Sequence, residues 1–293
     1  MTPQRNGDVA HVFSVDVEEY YQVETYSQII PRDEWGKFPS RVEDSTCKVL
    51  EILDRREVKG TFFVLGYLAR QFPDLVKKIF ASGHEIASHG YDHAMITTQS
   101  PSAFREDIRK SKQILEDIIG RPVGGYRAPT FSIREETSWA YEILQQEGFA
   151  YSSSVYPIRH DRYGWPSFGE SPRNMAKEGA EIWELPMSAV TFGALRAPFG
   201  GGGYLRIYPF ALTKAFFRKF ERLGKVGMVY VHPWEFDPEQ PEIKAPLLKR
   251  LRHSLGIAKM EERVTDLLST MRFSTAAQYL DAIKENKSVG ANA

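Results

Sequence analysis

The sequence predicts an α/β barrel, and three observations carry that prediction. Short apolar runs alternate with helical patterns, the order that builds parallel βαβ units. About seven such repeats fill ~270 residues, which suits a barrel better than an open sheet. Ionisable residues stand at the C-terminal ends of four different strands, the face of a β/α barrel on which chemistry is assembled.

The elements follow in order. Residues 12–16 alternate β-branched, aromatic and polar side chains, a strand. Residues 40–56 read as a helix, with Ser40 and Glu43 spaced as a capping box. Residues 60–65, rich in Phe and β-branched side chains, form a buried strand. Residues 73–81 are a short helix closed by Gly83, and 85–88 the next strand. Pro101 opens a longer helix at its first position and Gly120 closes it; Phe104, Ile108, Leu115 and Ile119 share one face of it. Residues 125–127 end a strand, 135–147 form a helix stopped by Gly148, and 149–153 and 182–186 are further strands. A helix at 210–223 leads into an apolar strand at 227–232, and a terminal helix covers 275–284. Residues 155–204 break the pattern. They are rich in Pro, Gly and aromatics, the composition of a functional or mobile insertion.

Composition narrows the function. Lys and Arg number 38, as do Asp and Glu, so the formal net charge is zero. A protein holding nucleic acid or anionic lipid through bulk charge is not expected. The single cysteine, Cys47, cannot form an internal disulfide and reads as a structural thiol. Residues 1–8 carry no apolar signal region, and the longest apolar stretch, near 61–69, falls far short of the ~20 residues that span a bilayer. A cytoplasmic protein without a transmembrane segment is expected.

The strand ends are the informative places. The first delivers Asp16, Glu18 and Glu19; the third runs into His89 and His93; the fourth ends at Arg127; the last ends at His232, Pro233, Trp234 and Glu235. Spaced i, i+4, His89 and His93 can aim both imidazoles at one ion. A carboxylate from the neighbouring strand, Asp16 or Glu18, completes a two-histidine, one-carboxylate site with open positions. Gly90 stands where the zinc-protease motif needs Glu, so that motif is absent.

In these residues the chain resembles the NodB-type polysaccharide deacetylases, carbohydrate esterase family 4. It is most similar to the branch found in exopolysaccharide loci linked to the PEP-CTERM/exosortase system. Residues 14–19 resemble the family's first motif, 88–93 its His-x-x-x-His motif, 126–131 its Arg-x-Pro-x-aromatic motif, and 229–233 the motif that supplies a histidine. The resemblance implies a distorted (β/α)7 barrel spanning 1–293 as one domain, with an irregular insertion at about 155–205 and a helical segment at about 245–293. It also implies a divalent metal, most often Zn2+, and hydrolysis of an N-acetyl group on an amino sugar of a polysaccharide or lipid-linked glycan, with release of acetate. Residue by residue, Asp16 carries over as catalytic base and Glu18, His89 and His93 as metal ligands. The reverse assignment of Asp16 and Glu18 stays open. Arg127 orients the base, His232 protonates the leaving amine, and a backbone N–H near Phe131 assists at the oxyanion. The chain departs from the family at the fourth motif: Tyr151 is followed by Ser152, Ser153 and Ser154, where an acid that orients the arginine is expected.

Other residues receive plainer expectations. Tyr163 and Trp234, with Trp165 and Trp183, are candidates to stack on sugar faces, and the stretch His160, Asp161, Arg162 and Tyr163 is a candidate substrate contact. His11, His84 and His253 are not expected to be ligands. Gly200 to Gly203 lack the flanks of a phosphate-binding loop and read as a flexible turn. Asp237 and Glu239, and the Lys249, Arg250, Leu251, Arg252 cluster, read as ordinary surface. Expected partners are an N-acetylated glycan and inner-membrane exopolysaccharide machinery. Competing readings are a hydrolase of a cyclic or small amide on the same barrel, and a carbohydrate-binding protein without catalysis. A non-haem iron oxygenase is disfavoured, because it would call for a jelly roll.

Overall fold

The computed structural model describes residues 10–160, 162–193 and 195–291. It begins with β1 (His11–Val17), every residue of which is buried. Then follow α1 (Val42–Arg55), β2 (Thr61–Val64), α2 (Gly66–Gln71), α3 (Pro73–Ala81), β3 (Glu85–Ser88), α4 (Pro101–Ile119), β4 (Gly125–Tyr126), α5 (Ala140–Gln146) and β5 (Tyr151–Ser152). The second half comprises β6 (Arg173–Asn174), β7 (Trp183–Glu184), β8 (Ala189–Phe192), β9 (Leu195–Pro198), α6 (Gly202–Ile207), α7 (Phe210–Arg222), β10 (Met228–Val231), α8 (Leu247–Ser254), α9 (Met260–Thr270), β11 (Phe273–Ser274) and α10 (Ala276–Ala291).

The strands form one curled sheet in the order β10-β1-β2-β3-β4-β5-β7-β6, with β11 also pairing β1. The seven strands from β10 to β7 run parallel, while β6 is antiparallel to β7. This is the distorted seven-stranded barrel expected. Among the described residues no ladder joins β7 to β10. The chain leaving β7 fills that interval: Ser188 Oγ accepts the Met228 N–H at 2.5 Å, and the Tyr230 N–H donates to the Gly200 carbonyl at 2.9 Å. Bare glycines let the chain come this close. A Cβ on Gly201 would stand 2.5 Å from the Tyr230 ring, and one on Gly202 would collide with the Glu235 carboxylate. The Gly200–Gly203 run is therefore a packed seam opening α6, not the flexible turn expected.

Local chemistry explains the helix ends. Ser100 Oγ caps α4 by accepting the Ala103 N–H at 3.2 Å, Pro101 takes the first helical position, and Gly120 closes it at φ +64°. α1 departs from expectation. Ser40 and Glu43 do not form a capping box; Ser40 Oγ donates instead to Glu19. The Glu19 carboxylate accepts the N–H groups of Arg41 (3.1 Å) and Val42 (3.2 Å). A carboxylate against the positive end of the helix is favourable there. The expected helix at 135–147 divides into a 3-10 turn, Glu135–Thr137, and α5. The insertion is also more regular than its composition suggests. It holds β6, β7 and the antiparallel β8–β9 hairpin. The main core lies between sheet and helices, with Phe13, Val15, Phe62, Phe104, Leu115 and Val229 all fully buried.

Candidate metal centre and active site

Strand alternation sets the first acids. Asp16 lies in β1 and Glu18 one residue beyond its end, so both share a face while Glu19 turns to α1. All three carboxylates are buried. His89 follows β3, and the loop carrying His93 curls back over it. Gly90 bends at φ +75°, and its missing Cβ leaves room for Asp107 Oδ2, which would stand 2.8 Å away. Asp107, on α4, accepts the N–H groups of Tyr91 (2.9 Å) and Asp92 (3.3 Å) and so fixes the loop. Burial pushes its carboxyl up to about 6.

One donor atom each from Glu18, His89 and His93 lie within 4.8 Å of one another. His89 Nδ1 is 2.8 Å from the Arg127 carbonyl, which fixes the tautomer with Nδ1–H donating and leaves Nε2 as the free donor atom. His93 Nε2 stands 2.8 Å from Glu18 Oε2, an oxygen that is buried without a hydrogen-bond partner. A buried acid oxygen without a hydrogen bond beside two imidazoles is the donor set of a divalent cation. Burial alone would raise Glu18, but His93, His232 and His89 outweigh it and hold the carboxyl down at about 2. Burial lowers His89 to about 4, so it stays neutral, as a ligand must. His93 (φ +55°), Thr130 (φ +57°) and Phe131 (φ +51°) occupy left-handed backbone at this mouth. For a β-branched residue such as Thr130 that geometry is a true outlier, of the kind that clusters at functional sites.

Asp16 does not join the cluster. Its Oδ1 accepts from Arg127 Nη1 at 2.6 Å. Arg127 is fully buried. It also donates to Ser14 Oγ (2.9 Å), the Ser153 carbonyl (3.0 Å) and Ser153 Oγ (3.0 Å), and lies 4.0 Å over the Phe63 ring. Of the serines standing where the fourth-motif acid was expected, Ser153 thus holds the guanidinium with neutral oxygens. Among the described residues Asp16 is its only carboxylate partner.

On the other side His232 Nε2 lies 3.3 Å from Glu18 Oε1, and Nδ1 lies 3.2 Å from Glu235 Oε2. Burial lowers its pKa, but Glu18 and Glu235 prevail and push it up to about 9. Glu235 is fully buried and pairs with Arg206 Nε at 2.8 Å. Sequence reasoning gave no role to Glu235, Arg206 or Asp107. The first was visible as the fourth residue of His-Pro-Trp-Glu; the other two come from distant segments and left no local signal.

Four expectations are corrected. Trp234 is only 6% exposed. Its ring is stacked between His232 (5.2 Å) and His253 (4.3 Å), so it buttresses the histidine and offers no face to a sugar. Trp183 is buried as well. The Phe131 N–H already donates to the Ala128 carbonyl at 3.0 Å and is not free for an oxyanion. Asp237 is buried and ion-paired to Arg41 at 2.7 Å, not a surface group. Phe131 packs edge-on against Tyr230 at 4.7 Å, and half-buried Tyr163 stacks on His160 at 3.9 Å. Asp161 lies outside the described residues. Neutral His11 and His84 accept the Gly227 and Gly60 N–H groups through Nδ1 at 2.9 and 3.1 Å and are structural.

Two family models match in succession: polysaccharide deacetylase over residues 35–150, and a domain of unknown function, DUF3473, over 153–281. The chain is 37% identical over 98 residues to a peptidoglycan-N-acetylglucosamine deacetylase of Bacillus cereus, covering 33% of this chain and 36% of that protein. It is 30% identical over 113 residues to the peptidoglycan-N-acetylmuramic acid deacetylase PdaA of Bacillus subtilis, covering 39% and 41%. The matched part thus spans well under half the length of these relatives. Among solved structures, a Mycobacterium smegmatis protein assigned to the polysaccharide deacetylases superposes with a TM-score of 0.67 at 20% identity, over 98% of this chain and 93% of that one. The allantoinase PuuE superposes at 0.59 and 16% identity, over 94% and 89%. Both likenesses concern the fold.

Proposed function

We propose that this chain, whose residues 35–150 carry a polysaccharide deacetylase domain, hydrolyses the acetamide of an N-acetylated amino sugar in a glycan. The observation that carries the reading is the convergence of Glu18, His89 and His93 with the Asp16–Arg127 pair on one side and His232 on the other. Glu18, His89 and His93 would hold a divalent cation, Zn2+ fitting their donors. Such a cation supplies Lewis-acid polarisation of the acetyl carbonyl and acidifies a water. Asp16, aimed by Arg127, takes the proton as water oxygen bonds to the acetyl carbon. His232, charged and steadied by Glu235, gives a proton to the sugar nitrogen as the C–N bond breaks. The products are acetate and a free amino sugar. Of the two assignments open in the sequence, this geometry favours Asp16 as base and Glu18 as ligand.

The finer reading is a role in exopolysaccharide biosynthesis, on a nascent or lipid-linked glycan at the inner membrane; the resemblance of the chain to the exopolysaccharide-locus branch is what supports it. The test is acetate release from N-acetylglucosamine oligomers by zinc-loaded protein. Release should stop on chelation and in His89→Ala or His93→Ala, with circular dichroism unchanged. Undiminished release in either variant would overturn the mechanism.

A further inference from the structure

α8 is an amphipathic helix turned inside out. Its polar side faces the protein: His253 is buried, donates through Nε2 to Gln240 Oε1 at 2.8 Å and stacks on Trp234, while Arg206 Nη1 donates to the His253 carbonyl at 2.5 Å. Its apolar side faces out. Leu247, Leu248, Leu251 and Leu255 are 64%, 81%, 51% and 55% exposed. At 100° per residue these four fall within one stripe about 100° wide. Ile207, beside Arg206, is also half-exposed.

The surrounding charge is mostly basic, although Arg250 is paired with Glu242 and Glu24 stands near Lys249. Between Ile243 and Met260 the sequence carries Lys244, Lys249, Arg250, Arg252 and Lys259 and no acid, in a chain whose formal net charge is zero. A leucine stripe flanked by basic residues matches the boundary between acyl chains and anionic headgroups. The same basic excess disfavours burial against a second copy, because like charges would meet across the contact. Position adds meaning. α8 packs on the 3-10 turn Glu24–Tyr26 that follows β1. Lys249 shares a cleft of about 320 Å³ with Glu24, Arg134 and Met95, and Met95 lies two residues past His93. The helix therefore stands on the rim of the catalytic mouth.

We infer that α8 is a docking surface for an anionic lipid bilayer, seating the mouth of the barrel at the membrane plane. The inference concerns attachment, and stands whether or not the site hydrolyses acetamide. The test is co-sedimentation of the full chain with vesicles of phosphatidylcholine alone or with about 30% phosphatidylglycerol. Binding should require the anionic lipid and weaken with salt. Leu248→Glu and Leu251→Glu should each reduce partitioning tenfold or more, and Arg252→Glu about fivefold or more, since each basic residue near the surface contributes roughly that factor. Leu223→Glu, at a 57% exposed leucine on another face, is the control and should bind as the parent does. Thermal unfolding should be the same for all four variants. Equal binding to neutral and anionic vesicles, equal binding by Leu248→Glu, or a dimer in solution that Leu248→Glu dissolves would each overturn the inference.

Discussion

Asp16→Asn tests the most exposed part of the electrostatic argument. Arg127 has no accessible surface, and Asp16 is its only carboxylate partner among the described residues, at 2.6 Å. Charge centres ~4 Å apart at an effective dielectric constant of ~20 attract by about 4 kcal/mol. The asparagine keeps the shape and one acceptor but removes the charge, leaving a buried guanidinium held by neutral acceptors alone. The expected loss of folding stability is about 3–5 kcal/mol, the range for breaking a buried pair from one side. Arg127→Met should also destabilise. The double variant should lose less than the sum of the singles by about 3 kcal/mol, because no stranded charge remains. Urea unfolding at neutral pH in the presence of a chelator measures all four proteins without metal linkage. Additivity within ~0.5 kcal/mol would show that the two charges do not depend on each other and refute the reasoning.

Further outcomes follow from other contacts. Glu235→Gln should lower kcat at least ~10-fold with KM within about twofold, because Glu235 steadies His232 without touching substrate; an equal rise in KM would place it in binding instead. His11 is pushed down to about 4 by burial, against ~6.5 unfolded. Above pH ~6.5 it is neutral in both states; as pH falls towards 4, the unfolded chain takes a proton the folded one refuses, and stability is lost. Relative to His11→Gln, the parent should therefore lose roughly 2 kcal/mol between pH ~7.5 and ~4.5 in denaturant unfolding; a constant difference would contradict this. Gly90→Ala places a Cβ 2.8 Å from Asp107 Oδ2 at φ +75°. It should cost about 1–3 kcal/mol and weaken zinc binding in calorimetry, since the same loop carries both imidazoles. Unchanged affinity would detach the loop from the metal centre.

The sequence revealed those parts of the site whose residues are neighbours along the chain. His89 and His93 declare themselves by spacing, and Asp16 and Glu18 by strand alternation. Arg206 and Asp107 act across α6 and α4, and nothing near them in sequence points to His232 or to residues 90–92. Trp234 misled because proximity to His232 does not say which way the ring faces; in the fold both faces are covered by imidazoles. α1 was placed correctly, but its cap came from Glu19, 23 residues before Val42, in place of the nearby serine. In the insertion, proline and glycine content suggested irregularity, yet backbone pairing made the β8–β9 hairpin. The charged cluster of α8 does lie at the surface, but the leucine stripe beside it shows only once the helix is wound.

The clamp of Glu19 on α1 has a bearing on fidelity of assembly. Shifting β1 by a single position would present Val17 and Glu19 to the mouth and drive Asp16 and Glu18 into the greasy layer beneath the helices. By tying the odd-numbered acid to a helix start, the chain rejects that mispairing while it folds. On the proposed function, the three neighbouring carboxylates would divide their labour among chemistry, cation capture and proofreading of strand alignment.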